Sequence, residues 1–122
     1  MSKELKPKDF NRLSPHMPID LKIPTAVLFK MNGCGWCKKM EPEWDEVGEK
    51  VGFMNICHFT TDASKENNIH WEKIENSLET RIEGFPSVMF YKPNGSAVLH
   101  TGFCSADEMI AKMINYCEDS HL

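Results

Sequence analysis

Between residues 26 and 51 an apolar extended run gives way to a helical pattern, and two cysteines sit at the change. Ala26-Val27-Leu28-Phe29 is short, apolar and β-favouring, and Asn32-Gly33 breaks it. Beyond Cys37, the residues Met40, Trp44, Val47 and Val51 fall on one helical face. Cys34-Gly35-Trp36-Cys37 therefore occupies a strand-to-helix junction, with Cys34 at the helix start. Unpaired backbone N–H groups and the helix dipole favour a thiolate there. Spacing of i to i+3 puts the second thiol on the same face, close enough to close a disulfide. Such a pair suits a reversible dithiol/disulfide couple.

A chain of 122 residues is read as a single domain spanning 1–122, large enough for one hydrophobic core. The net charge of −4 is mild and mixed along the chain, which argues against a nucleic-acid partner. No segment is long enough to cross a bilayer, so no membrane partner is expected. Residues Met1 to Pro7 hold no apolar stretch of the signal-peptide kind, so the expected location is cytoplasmic and reducing. Five cysteines is an odd count, which fits a redox protein better than a disulfide-stapled scaffold.

Residues 1–24 read as an irregular lead-in, with a short strand and short helix between Leu5 and Leu13 and a loop at Ser14 to Pro18. Thr25 to Met31 is the first clear strand, and Cys34 to about Val51 a helix in which Pro42 should produce a kink. Phe53 to Phe59 is a second strand. Thr60 to Glu83 is polar, with Trp71, Ile74, Leu78 and Ile82 near helical spacing. Strands at Ser87 to Tyr91 and Ala97 to Thr101 flank Pro93-Asn94-Gly95, a hairpin signal. Ser105 with Glu108 is a capping box, and Ile110, Met113, Ile114 and Cys117 form the buried stripe of a closing helix. The order β-α-β-α-β-β-α predicts an α/β domain: a central mixed sheet with helices on both faces.

Taken together these segments resemble the thioredoxin family over nearly the whole chain. Cys34-Gly35-Trp36-Cys37-Lys38 is similar to the family's Cys-Gly-x-Cys-Lys, and Pro42 to its kinking proline. Gly84-Phe85-Pro86 followed by Ser87-Val88-Met89-Phe90-Tyr91 resembles the segment whose proline is cis in the family. Lys92-Pro93-Asn94-Gly95 and Gly102 resemble its hairpin and the glycine that borders its substrate groove. There are three departures. Leu28 stands six residues before Cys34, where members often bury a carboxylate; Gly33 replaces a common Trp; and Asp62 to Pro86 is several residues longer, which suggests an elongated helix.

The resemblance implies a thioredoxin-like fold and a thiol:disulfide oxidoreductase. Cys34 would be the nucleophile and Cys37, one turn deeper, the resolving thiol. Pro86 would face the pair across the groove, with a cis Phe85–Pro86 bond presenting the Phe85 backbone to an extended partner. Gly35, Trp36, Phe85 and Gly102 would line the groove, Trp36 as an apolar contact. His58, at the end of the second apolar strand near where the family often has a lysine, is a candidate proton carrier. Partners would be proteins carrying disulfides or dithiols, together with a reductase of the thioredoxin-reductase kind or a sulfhydryl oxidase.

Other readings stay open at this point. The Gly-Trp dipeptide does not separate a reductant, the favoured direction, from an oxidase or isomerase of the protein disulfide isomerase type. The fold could also act as a binding or chaperone module with idle cysteines. A glutathione-linked glutaredoxin is disfavoured by Gly-Trp and Pro42. A zinc site needs four ligands, but Cys57-His58 is adjacent rather than spaced and Cys104 and Cys117 are isolated, so no metal and no cofactor are expected. Cys57 and Cys117 read as small buried hydrophobes, and Cys104 as a thiol that could be exposed.

Overall fold

The computed structural model describes residues 2–118. Its strands are β1 (Lys3–Glu4), β2 (Thr25–Lys30), β3 (Asn55–Thr60), β4 (Ser87–Tyr91) and β5 (Ala97–Thr101). Its helices are α1 (Gly35–Lys50), α2 (Lys65–Ser77) and α3 (Ala106–Glu118), with a 3-10 turn at Pro7–Asp9. The sheet runs β1-β3-β2-β4-β5. β1, β3 and β2 are parallel, whereas β4 is antiparallel to β2 and to β5. The sheet is therefore mixed, as the element order predicts.

β2 lies at the centre and is buried from Thr25 to Phe29. Alternate side chains leave a strand on opposite faces. Ala26 and Leu28 accordingly join Met40, Trp44 and Val47 of α1 and Met109 and Met113 of α3. Val27 and Phe29 join Phe59, Ile74, Met89 and Tyr91 on the other side, under α2 and the N-terminal segment. Helices cover both faces, and the two clusters are the core.

The lead-in is more firmly held than its composition suggests. Leu5 N–H donates to the His58 carbonyl at 2.8 Å, extending the β1 pairing. Farther on, the buried Tyr91 hydroxyl donates to the His16 carbonyl at 2.7 Å. His70 Nε2 lies 3.0 Å from the Pro15 carbonyl. These bonds pin the 10–20 loop to α2 and β4.

Several sequence expectations shift. β3 begins at Asn55 rather than Phe53, whose ring stays in solvent; Asn55 N–H is taken by the Pro24 carbonyl. α2 stops at Ser77, so Leu78 and Ile82 lie beyond it. The Ser77 hydroxyl donates to the Ile74 carbonyl at 2.8 Å, competing for an acceptor of the last turn. The added length before Pro86 is thus partly the irregular segment 78–86. In α3 the buried side chains are Ala106, Met109 and Met113, at i, i+3 and i+7. Ile110 and Cys117 flank that stripe half-buried, and Ile114 is 41% exposed, so the predicted stripe was turned too far round the helix. In the hairpin only Gly95 takes a positive φ, +93°, and its N–H donates to the Lys92 carbonyl.

Candidate active site

The site forms where β2 hands the chain to α1. Gly33 has φ of +80°, a left-handed turn that a side chain disfavours, which gives a local reason for glycine at this position. Asn32 N–H donates to Asp62 Oδ1 at 2.9 Å, tying this turn to the segment after β3. Cys34 follows as the N-cap of α1, with extended backbone. Its Sγ accepts the Cys37 N–H at 3.2 Å, so the sulfur fills the place an N-cap oxygen usually takes. Cys34 and Cys37 are joined as a disulfide, their Cα atoms 5.2 Å apart. Cys37 is only 2% exposed, whereas Cys34 is reachable from solvent.

The Phe85–Pro86 bond is cis. The Phe85 carbonyl oxygen stands 3.8 Å from Cys34 Sγ, which places Pro86 beside the pair. Gly102, at φ of +99°, donates its N–H to the Pro86 carbonyl at 2.9 Å and so fixes the far wall. Phe85 is half-buried, its ring 5.4 Å from that of Trp71.

Trp36 is 57% exposed, with Lys39 Nζ 4.4 Å above its ring. The Phe103 ring lies 5.8 Å from it. Together with Phe85, Pro86 and Gly102 these two rings line an open groove of about 410 Å³. Phe103 was not anticipated from the sequence; an aromatic directly after the groove-bordering Gly102 was the available signal.

His58 does not line this groove. It pairs in register with Leu28, and its Nδ1 lies 2.7 Å from the Ser2 hydroxyl. Burial, reinforced by Lys30, pushes its pKa below the usual histidine value. It belongs instead to a small cavity shared with Lys30 and Glu41, an ion pair absent from the sequence reading.

The remaining cysteines serve packing. Cys57 is buried under the sheet, and burial pushes its thiol up to about 11. Cys104 and Cys117 are both half-buried against the α1–α3 core, so Cys117 is less enclosed than expected and Cys104 more so. Among the described residues no three His, Cys, Asp or Glu side chains stand together so as to hold a metal ion.

Fold and site together define an α/β domain that presents a Cys-x-x-Cys pair at a helix start, a geometry built for thiol–disulfide exchange. Residues 21–116 match the family model of the thioredoxin-like domain, and the chain belongs to that family. Among solved structures it is similar to thioredoxin f from spinach chloroplast, with a TM-score of 0.68 and 18% identity over 93% of this chain and 91% of that one. Chloroplastic thioredoxin z gives 0.67 and 16%, over 97% and 95%. The J-Trx1 fragment of ERdj5 gives 0.70 and 17%, over 93% of this chain and 50% of that one, so the chain spans half of that fragment. At such identities the likeness carries the fold.

Proposed function

We propose that this domain reduces disulfides in partner proteins. The reduced Cys34 thiolate attacks a partner disulfide and forms a mixed disulfide. Cys37 then attacks Cys34 Sγ, leaving the Cys34–Cys37 disulfide and a reduced partner. The observation that carries this reading is the Cys34 sulfur capping α1, accessible to a partner, with Cys37 bonded to it and enclosed behind it. The partner would lie as an extended segment in the groove between Trp36 and Pro86, with Gly35, Phe85 and Gly102 beneath and beside it. Turnover then needs an electron donor of the thioredoxin-reductase kind and a reducing compartment such as the cytoplasm.

Trapping with Cys37→Ser tests the mechanism. The variant should hold partner proteins through Cys34 as mixed disulfides that dithiothreitol releases, and Cys34→Ser should hold none. The direction is tested by equilibration with glutathione buffers. A reductant should lie near the value of about −270 mV that marks thioredoxins, while one near −180 or −120 mV would assign an isomerase or oxidase instead.

A further inference from the structure

Cys37 has to lose a proton before it can attack, yet in the disulfide form the residue is only 2% exposed, so bulk water has little access to it. Leu28, on the central strand beneath α1, is fully buried and carries no acceptor. The nearest carboxylate along the helix is Glu41, four residues on from Cys37 and therefore on the same face of α1. Lys30 Nζ holds that carboxylate at 3.1 Å. Lys30 ends β2 two residues beyond Leu28, so it leaves the sheet on the same side, toward α1. Its side chain is 21% exposed and that of Glu41 48%. The pair lines a cavity of about 200 Å³ with Leu28, Trp44, Asp45 and His58, polar and roomy enough for water.

Building on the exchange chemistry proposed above, we propose that Glu41 is the base that takes the proton from Cys37. Lys30 holds the Glu41 carboxylate at the edge of the cavity, and the half-exposed carboxylate passes the proton on to solvent. The reach required is one hydrogen bond or one intervening water. In the step, the Cys37 proton goes to the Glu41 carboxylate and the Cys37 thiolate attacks Cys34 Sγ. The Cys34–Cys37 bond forms, the bond from Cys34 to the partner breaks, and its electron pair leaves on the partner sulfur as a thiolate. The dithiol loses two electrons and the partner gains them. The charged and titratable groups at this cavity are Lys30 from β2, Glu41 and Asp45 from α1 and His58 from β3, with Glu4 of β1 acting on His58.

The test separates the two chemical steps. Reduced protein carrying Cys104→Ser and Cys117→Ser is mixed with 5,5′-dithiobis(2-nitrobenzoate). Attack by Cys34 releases one thionitrobenzoate, and attack by Cys37 on the resulting mixed disulfide releases a second. Glu41→Gln should leave the first release within about twofold and slow the second by about tenfold or more at pH 7. Its second release should then climb roughly tenfold per pH unit across a range where the parent is level. Glu41→Asp should restore part of the rate. An unchanged second release in Glu41→Gln overturns the proposal. So does a slowed release with the parent's pH profile, which would mean disturbed packing, or a loss seen in His58→Gln and not in Glu41→Gln, which would give the proton to the imidazole. If the parent itself gives no second release, the exchange reading fails before any variant is compared.

Discussion

The backbone N–H of Cys37 donates to the sulfur of Cys34 across 3.2 Å, so the first turn of α1 is closed by a sulfur atom. In the reduced protein that N–H and the helix dipole favour charge on the Cys34 sulfur. The consequence is an asymmetry in reactivity between two cysteines three positions apart. Iodoacetamide at pH 7 should label Cys34 about tenfold or more faster than Cys37, as read by mass spectrometry of the digested protein. Equal labelling would remove Cys34 as the attacking group.

Trp36 and Phe103 face each other across 5.8 Å at the mouth of the groove, and both are substantially exposed. Exposed aromatic rings beside a reactive sulfur are suited to gripping a partner's apolar side chains. Phe103→Ala should raise KM for a protein disulfide by about threefold to tenfold, a loss of about 1 kcal/mol of contact. Reduction of a small disulfide that never reaches the rings should be unaffected. A matching loss on both substrates would place Phe103 in the support of the site rather than in recognition.

Much of this arrangement is legible in the chain before any coordinates. The β2-to-α1 junction announces itself because strand and helix periodicities meet at Cys34, and the α1 stripe from Met40 to Val51 is buried as read. β4 and β5 match residue for residue, since Pro93-Asn94-Gly95 bounds both. What escapes the sequence is long-range. The stop of α2 at Ser77 depends on a hydroxyl competing for one carbonyl, not on any breaker residue. The Lys30–Glu41 pair spans eleven residues and two elements, and each residue alone reads as surface charge. His58 was singled out for its strand position, and that position leads to the Lys30–Glu41 cavity rather than to the groove.

Four histidines, His16, His58, His70 and His100, have their pKa values lowered, in each case chiefly by burial. At pH values between the folded and unfolded pKa the unfolded chain binds more protons, so stability rises with pH there. Their full contribution is present above the unfolded value of about 6.5 and is lost as pH falls through it toward the folded values. The melting temperature should therefore drop between pH 7.5 and pH 5.5. His70 packs with its ring centroid 4.7 Å from that of Phe10 and 6.1 Å from that of Phe59, and its burial disfavours the charged form. His70→Gln should flatten the pH dependence even if it lowers stability overall. A parent melting temperature that is level across this range would contradict the assignment.

Asn67 is a buried amide whose purpose is visible only in three dimensions. Its Nδ2 donates to the Thr60 carbonyl at 2.8 Å, and its own N–H is capped by Ser64 Oγ at 3.0 Å. The first bond joins the start of α2 to the end of β3. Two residues past Thr60, Asp62 receives the Asn32 N–H and so steadies the turn that presents Cys34. Asn67→Ala removes this donor while the Ala63 N–H still reaches the Thr60 carbonyl at 3.3 Å, so the loss should be about 0.5–1.5 kcal/mol in urea unfolding. Because the same segment braces the Asn32 turn, the variant should also react more slowly through Cys34 at temperatures well below its melting point. Ser64→Ala should cost about 1 kcal/mol, the usual loss for an N-cap, and leave Cys34 reactivity intact. If Asn67→Ala lowers stability while Cys34 reacts at the parent rate, the brace between β3 and the Cys34 turn is structural alone.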